Sequence, residues 1–218
     1  KAIEIDPGYG FAHALRALQS YWRSFGDPRY SDAALQEAYV FAKRAIELDE
    51  NESSCFSVMG HVCLMRRSFD QALQYARRAI ELNPGNQWNR AAMGCVLMYV
   101  GEAEDALASF KHAREIDPYF DTPWYWRSIG QAYMVLHRYK EALEMFDHLP
   151  AGQHRIDEFR AGCHARQGDM DRARASAAEC LAMTPKFSIR YFMSKEPFKL
   201  AADATHLAES LHMAGLPD

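Results

Sequence analysis

The chain has 218 residues and a formal net charge of −4, from 25 Lys and Arg against 29 Asp and Glu. The basic residues are dispersed among acidic ones and form no stripe that could neutralise several phosphates, which argues against nucleic-acid binding. No apolar run reaches the roughly 18 residues of a membrane span, and strand signals are few, so composition points to a helical domain with no membrane partner and the cytoplasm as default compartment.

From the N-terminus, Lys1-Ala2-Ile3-Glu4-Ile5-Asp6-Pro7 reads like Arg78-Ala79-Ile80-Glu81-Leu82-Asn83-Pro84, the end of a helix followed by a proline stop. Residues 8–50 follow with a surplus at Phe25–Ser31 that reads as a long turn. The spans 51–84 and 85–118 are in register: Gly60 and Gly94, Ala72 and Ala106, Ala79 and Ala113, and Pro84 and Pro118 are each 34 residues apart. A period of that size means stacked units. Between Asp70 and Leu82 the small or apolar residues Ala72, Leu73, Ala76, Ala79 and Ile80 recur at helical steps and predict one buried stripe. Gly60 and Gly94 each cost a helix about 1 kcal/mol relative to Ala, so their recurrence predicts close helix contact. Pro84 and Pro118 end their helices, because proline lacks the amide donor and biases the preceding residue away from helical geometry.

Further on the period drifts. Gly130 and Ala142 lie 36 residues after Gly94 and Ala106, which places two extra residues near Asp121-Thr122-Pro123. The helix beginning near Lys140 is cut short at Leu149-Pro150-Ala151-Gly152, and 153–185 reads as a divergent fifth unit. In 186–218, Glu196-Pro197-Phe198 breaks the chain and Leu207, Leu211 and Ala214 mark one face of a last helix that caps the stack. Gly215-Leu216-Pro217 supplies a glycine stop, an apolar residue that folds back, and a proline.

These matched positions resemble the tetratricopeptide repeat (TPR) over nearly the whole chain. The resemblance implies an all-α, right-handed superhelical solenoid of antiparallel helix pairs, with a repeat remnant at 1–7, repeats at 8–50, 51–84, 85–118, 119–150 and 153–185, and a capping segment at 186–218. It also implies that a further unit precedes Lys1. In TPR proteins the first helix of each pair lines the concave face, with ligand-facing residues at repeat offsets 2, 5, 9, 12 and 13. Carried onto this chain, those offsets single out Phe11, Leu18, Tyr21, Trp22, His61, Met65, Trp88, Met98, Tyr99, Trp124, Arg127, Gln131, Met134 and Arg166 as the partner-binding set, with Arg155 beside them. Aromatic and Met side chains suit a protein or peptide segment, and the cations farther along suit an acidic group on it. About half of the aromatics are expected to pack between helices instead.

The carboxylate clamp of chaperone-binding TPR domains, a Lys at offset 5 with an Asn at offset 9, is not legible, since those offsets hold Ala14 and Leu18, Ser57 and His61, Ala91 and Cys95, and Arg127 and Gln131. The tail, Glu-Pro-Phe and the terminal Ala-Gly-Leu-Pro-Asp, resembles the ends of bacterial signalling proteins in which TPR units follow a class III adenylate or guanylate cyclase domain. That likeness implies a regulatory region which makes no cyclic nucleotide itself.

Catalytic chemistry is not written here. There is no GxSxG, HExxH, GxxxxGK[ST] or GxGxxG pattern, so no enzyme and no cofactor are expected. Five cysteines form no CxxC pair, and Cys63 and Cys180 take offsets held elsewhere by Leu97 and Ala79, which predicts packing. Cys163-His164 with His154 is the one thiol and imidazole cluster, and two ligands on one helix make no closed metal site. The apolar Ala2, Ile3 and Ile5 predict an N-terminal edge through which two copies could pair as a homodimer.

Overall fold

The computed structural model describes residues 1–25, 28–149 and 156–218, and the side chains of these except 28–30. Among the described residues there are thirteen helices and no strand. In chain order they are α1 (Ala2–Ile5), α2 (Gly10–Arg23), α3 (Pro28–Leu48), α4 (Ser53–Met65), α5 (Phe69–Leu82), α6 (Gln87–Val100) and α7 (Ala103–Ile116). There follow α8 (Pro123–Val135), α9 (Tyr139–Phe146), α10 (Asp157–Arg166), α11 (Met170–Met183), α12 (Ile189–Lys195) and α13 (Ala201–Met213). Two compact units emerge, one of residues 1–96 with 111–118 and one of 97–110 with 119–218.

In the first unit α2 packs on α3 and α4 on α5. The second helices present small residues to their partners. Ala34, Ala38, Ala42 and Ala45 of α3 and Ala72, Ala76 and Ala79 of α5 are all 2% exposed or less. With side chains this short the backbones meet closely. A Cβ added to Gly60 would lie 3.3 Å from the Ala72 carbonyl oxygen and 3.4 Å from the Ala76 nitrogen, and one added to Gly10 would lie 2.9 Å from Asp49 Cβ. Asn89, 1% exposed at the start of α6, donates from Nδ2 to the carbonyls of Ala79 at 3.0 Å and Asn83 at 3.4 Å. It adds a side-chain donor to two carbonyls at the end of α5 that also accept backbone N–H groups, from Asn83 and Asn86.

In the second unit α8 packs on α9 and α10 on α11, and α13 lies against α10. Here the glycine faces a ring: a Cβ on Gly130 would fall on Phe146, 2.7 Å from its Cδ1. Arg160 of α10 closes the end of α9, donating to the carbonyls of Phe146 at 2.6 Å and Leu149 at 3.0 Å. At the C-terminus Gly215 has φ +87°, its N–H donates to His212 O at 2.9 Å, and the N–H of the buried Leu216 donates to Leu211 O at 3.2 Å. This is a Schellman stop.

The turn after each of four first helices is built alike. Arg67, Gly101, His137 and Gly168 all have positive φ, and the residue after each donates a backbone bond to a carbonyl near the end of the helix, as in Ser68 N–H to Cys63 O at 2.9 Å and Arg138 N–H to Tyr133 O at 2.8 Å. Two of the four are not glycine. A left-handed conformation costs such residues roughly 1–2 kcal/mol.

One expectation is corrected. The surplus at 25–31 is not all turn, because Pro28 opens α3, and α3 runs for 21 residues where α5 has 14. Proline suits a first helical turn, where its missing N–H has no intrahelical partner anyway. Residues 26 and 27, the Pro150-Ala151-Gly152 break, and His154 and Arg155 lie outside the described residues.

The fit at Gly60 predicts a graded response. Gly60→Leu must push α5 away from α4, and overpacking of this kind costs about 1–3 kcal/mol. Gly60→Ala gains up to about 1 kcal/mol of helix propensity against a tight 3.3 Å contact and should be far milder. Thermal melts of the two variants check this; a Leu variant melting like the parent would mean the helices are not in close contact there.

Candidate interaction surface

The first-helix offsets fall into two environments. In the first unit, Trp22 on α2 and Trp88 on α6 are each 47% exposed, Tyr21 is 8% exposed, and Phe11, Leu18, His61 and Met65 are half-buried. Tyr21 organises this surface: its ring centroid lies 5.1 Å from Trp22, 5.2 Å from Phe25 and 5.7 Å from His61, all edge-on. Edge-to-face rings hold one another in place, so the Trp22 face is presented outward and does not collapse. His61 is fixed by its Nδ1 contact to Ser57 O at 3.2 Å, and burial lowers its pKa, keeping the ring neutral.

In the second unit the same offsets are covered. Met98 is 0% and Met134 3% exposed, so these two are core residues and offer no surface, contrary to their assignment from the repeat offsets. For Met134 the reason is what lies on top of it. It sits against Gly162 of α10, where an added Cβ would stand 2.9 Å from Met134 Cε and 3.1 Å from Ser210 Cβ of α13. Trp124 is half-buried, its ring edge-on to Phe120 at 6.1 Å. Arg166 is spent on α13, donating to Ser210 Oγ at 2.8 Å, His206 O at 3.1 Å and Glu209 at 2.9 Å.

Tyr99, Arg127 and Gln131 are brought together around a carboxylate the offsets could not supply. Glu196, 4% exposed, accepts from Tyr99 Oη at 2.6 Å and from Gln131 Nε2 at 3.4 Å, with Arg127 at 3.7 Å from its other oxygen. Phe198 packs edge-on against Tyr99 at 5.0 Å, and the Lys199 N–H donates to Tyr99 O at 2.8 Å. The Arg127 guanidinium also lies over the Phe159 ring at 5.2 Å. A buried carboxylate is tolerable only with such partners.

Other chemistry is sparse. The five cysteines are buried and joined in no disulfide, and burial pushes the thiols of Cys55 and Cys163 up to about 12 and that of Cys63 up to about 11, far from reactive thiolates. Among the described residues no group of three His, Cys, Asp or Glu side chains could hold a metal ion, and no helix is long and apolar enough to cross a membrane.

No protein-family model and no curated protein matches the sequence. Solved structures do match. YrrB, described as a TPR protein with an unusual peptide-binding site, is 17% identical, with 96% of each chain covered and a TM-score of 0.52. TTC0263, a thermophilic TPR protein of Thermus thermophilus, is 16% identical over 90% of this chain and 99% of its own, with a TM-score of 0.61. PilW, a type IV pilus biogenesis factor, is 14% identical over 94% and 90%, with a TM-score of 0.66. The likeness is one of fold, and it establishes the chain as an all-helical solenoid of the TPR type.

The seat of α13 carries a pH signature. His206 Nε2 and Tyr139 Oη share a hydrogen bond of 2.8 Å, the His206 ring stacks on His137 at 4.0 Å, and burial, with electrostatic repulsion from His137 and Arg166, holds its pKa down to about 4. A histidine depressed in the fold takes up its proton later than in the unfolded chain. Stability is therefore lost as pH falls below the ordinary value of about 6.5, and for His206 the loss continues to about 4. His61 and His164, lowered chiefly by burial, act in the same sense. Asp203, raised by burial, acts in the opposite sense as it takes up its proton. Melting temperature should fall from pH 7 to pH 4, less steeply in His206→Gln; equal slopes would show that His206 does not contribute.

Proposed function

We propose that this chain is a non-catalytic protein- or peptide-binding module, and that the first-helix face of α2, α4 and α6 receives an apolar segment of its partner. The observation that carries the reading is the pair of half-exposed tryptophans, Trp22 and Trp88, with the half-buried Leu18, His61 and Met65. Tryptophans are among the commonest anchors of binding energy, because they offer a large rigid contact at small entropic cost. The peptide-binding site in the description of YrrB, a chain with the same fold, supports the reading. So does the second unit, where the corresponding offsets already hold a piece of extended chain.

The setting we favour is cytoplasmic, in a larger signalling protein. The cyclase-like tail residues have packing roles of their own: Glu196 and Phe198 on Tyr99, Leu216 buried, and Ile189 N–H donating to Pro217 O at 2.8 Å. The cyclase association therefore rests on sequence likeness alone, and the gene upstream of Lys1 decides it.

A peptide library selected on the whole chain tests the binding site. Selected peptides should carry aromatic or aliphatic anchors, and Trp22→Ala or Trp88→Ala should weaken them by about 2 kcal/mol, roughly 30-fold. Trp22 also packs on Tyr21 and Phe25, so Trp22→Ala should cost about 0.5–1.5 kcal/mol of stability, and binding is compared at a temperature where both variants stay folded. Peptides that bind both variants undiminished would remove the site from this face.

Self-association is a second reading, favoured by Ile5 at 85% and Tyr9 at 50% exposure around α1. Sedimentation over a concentration series should show a dimer that Ile5→Glu dissociates. A protein monomeric to hundreds of micromolar would end that reading.

A further inference from the structure

The segment between α12 and α13 has the character of a bound peptide. Residues 196–198 belong to no helix, and both Glu196 and Leu200 have extended backbone, at φ −83° ψ 113° and φ −88° ψ 122°. Its contacts combine three kinds of recognition. The Glu196 carboxylate is held by Tyr99, Gln131 and Arg127, the Phe198 ring is held by Tyr99, and the Lys199 N–H is held by a carbonyl of the last turn of α6. The last carbonyls of a helix lack intrahelical donors, so they can accept from an extended chain. Leu200 then rests on Gly101, where an added Cβ would stand 2.9 Å from Leu200 Cγ, while the Leu200 side chain itself stays 45% exposed.

A side chain selected only for packing at this position would be apolar. A carboxylate is costly to bury and takes its value from matched donors. These donors come from two first helices, α6 and α8, at the offsets marked in the sequence for partner contact. The seat thus matches a carboxylate followed two residues later by an aromatic ring.

We propose that the seat formed by Tyr99, Gly101, Arg127 and Gln131 is a recognition site for an extended partner segment of the form acidic–x–aromatic, and that residues 196–200 occupy it in cis until such a segment displaces them. The proposal rests on the interaction-module reading but concerns a different set of residues from Trp22 and Trp88. Tethering holds the internal segment at a high effective concentration, so an external segment binds the intact chain only in the fraction whose seat is open, and its apparent affinity falls by that fraction.

The test uses the full chain and a fluorescently labelled peptide of sequence Lys-Glu-Pro-Phe-Lys-Leu, that of residues 195–200. Glu196→Ala with Phe198→Ala should open the seat and bind the peptide at least about tenfold more tightly than the parent does. Peptides with Glu replaced by Gln or Phe by Ala should bind more weakly. A variant with parental helix content that binds the peptide no better than the parent, or binds the Gln peptide equally well, overturns the proposal. Should the variant lose helix content, hydrogen exchange on the parent with saturating peptide replaces it: faster exchange at 196–200 supports displacement, and unchanged exchange overturns it. A parent that ignores the peptide but dimerises by exchanging its tail also overturns it, the occupant then being a second copy. Trp22→Ala with Trp88→Ala should leave this binding intact, so failure of one site is distinguishable from failure of the other.

Discussion

Everything in this molecule follows from how closely one helix backbone can approach the next. Gly60 on α4 lets Ala72 and Ala76 of α5 come within 3.3–3.4 Å of where its side chain would be, and many such short contacts sum to the packing energy of the pair. Alanine removes little apolar surface from water, so fit matters more here than bulk burial. The second unit keeps the glycine and changes its partner: Phe146 lies on Gly130, a large residue filling the space that small ones leave elsewhere. Either solution fixes the helix pair, and neither tolerates much change of volume.

Close pairing also decides where function can reside. Because the paired faces are consumed by packing, the remaining face of each first helix is the place where large side chains can meet another chain. On α2, α4 and α6 that face carries half-exposed tryptophans and an edge-on aromatic cluster. On the second unit, chain from between α12 and α13 lies on Tyr99 and Gln131, and α13 takes up Arg166. At these offsets the first unit leaves Trp22 and Trp88 half exposed, whereas in the second its own chain lies on Tyr99 and Gln131. Polar side chains add to the fold what the apolar pattern does not show, with Asn89 and Arg160 each donating to carbonyls at the end of the preceding second helix.

Legibility varies with the range of the interaction. Helix pairing is readable because its signal is periodic: Gly60, Ala72 and Ala79 recur at fixed steps. The turn at Gly101 and Gly168 leaves a trace, but Arg67 and His137 adopt the same left-handed geometry without being glycine, so composition does not mark them. The surplus at 25–31 reads as turn throughout because turn-forming residues and a helix-opening proline look alike until the length of α3 is known. Met98 and Met134 fall at surface offsets yet are buried, because an offset gives the direction of a side chain and not what later covers it.

The sequence by itself determined the helical solenoid, since periodicity, small residues at contact offsets and proline stops act within some 34 residues and are independent of what is far away. The resemblance to the TPR pattern put Tyr99, Arg127 and Gln131 at offsets that face a ligand in that family, and a helix fixes only which side chains share a face. Only the tertiary structure decided that a carboxylate 97 residues from Tyr99 and 65 from Gln131 fills that place. Glu196 in sequence is an ordinary charged residue beside a proline, and its burial follows from the polar partners that the fold carries to it.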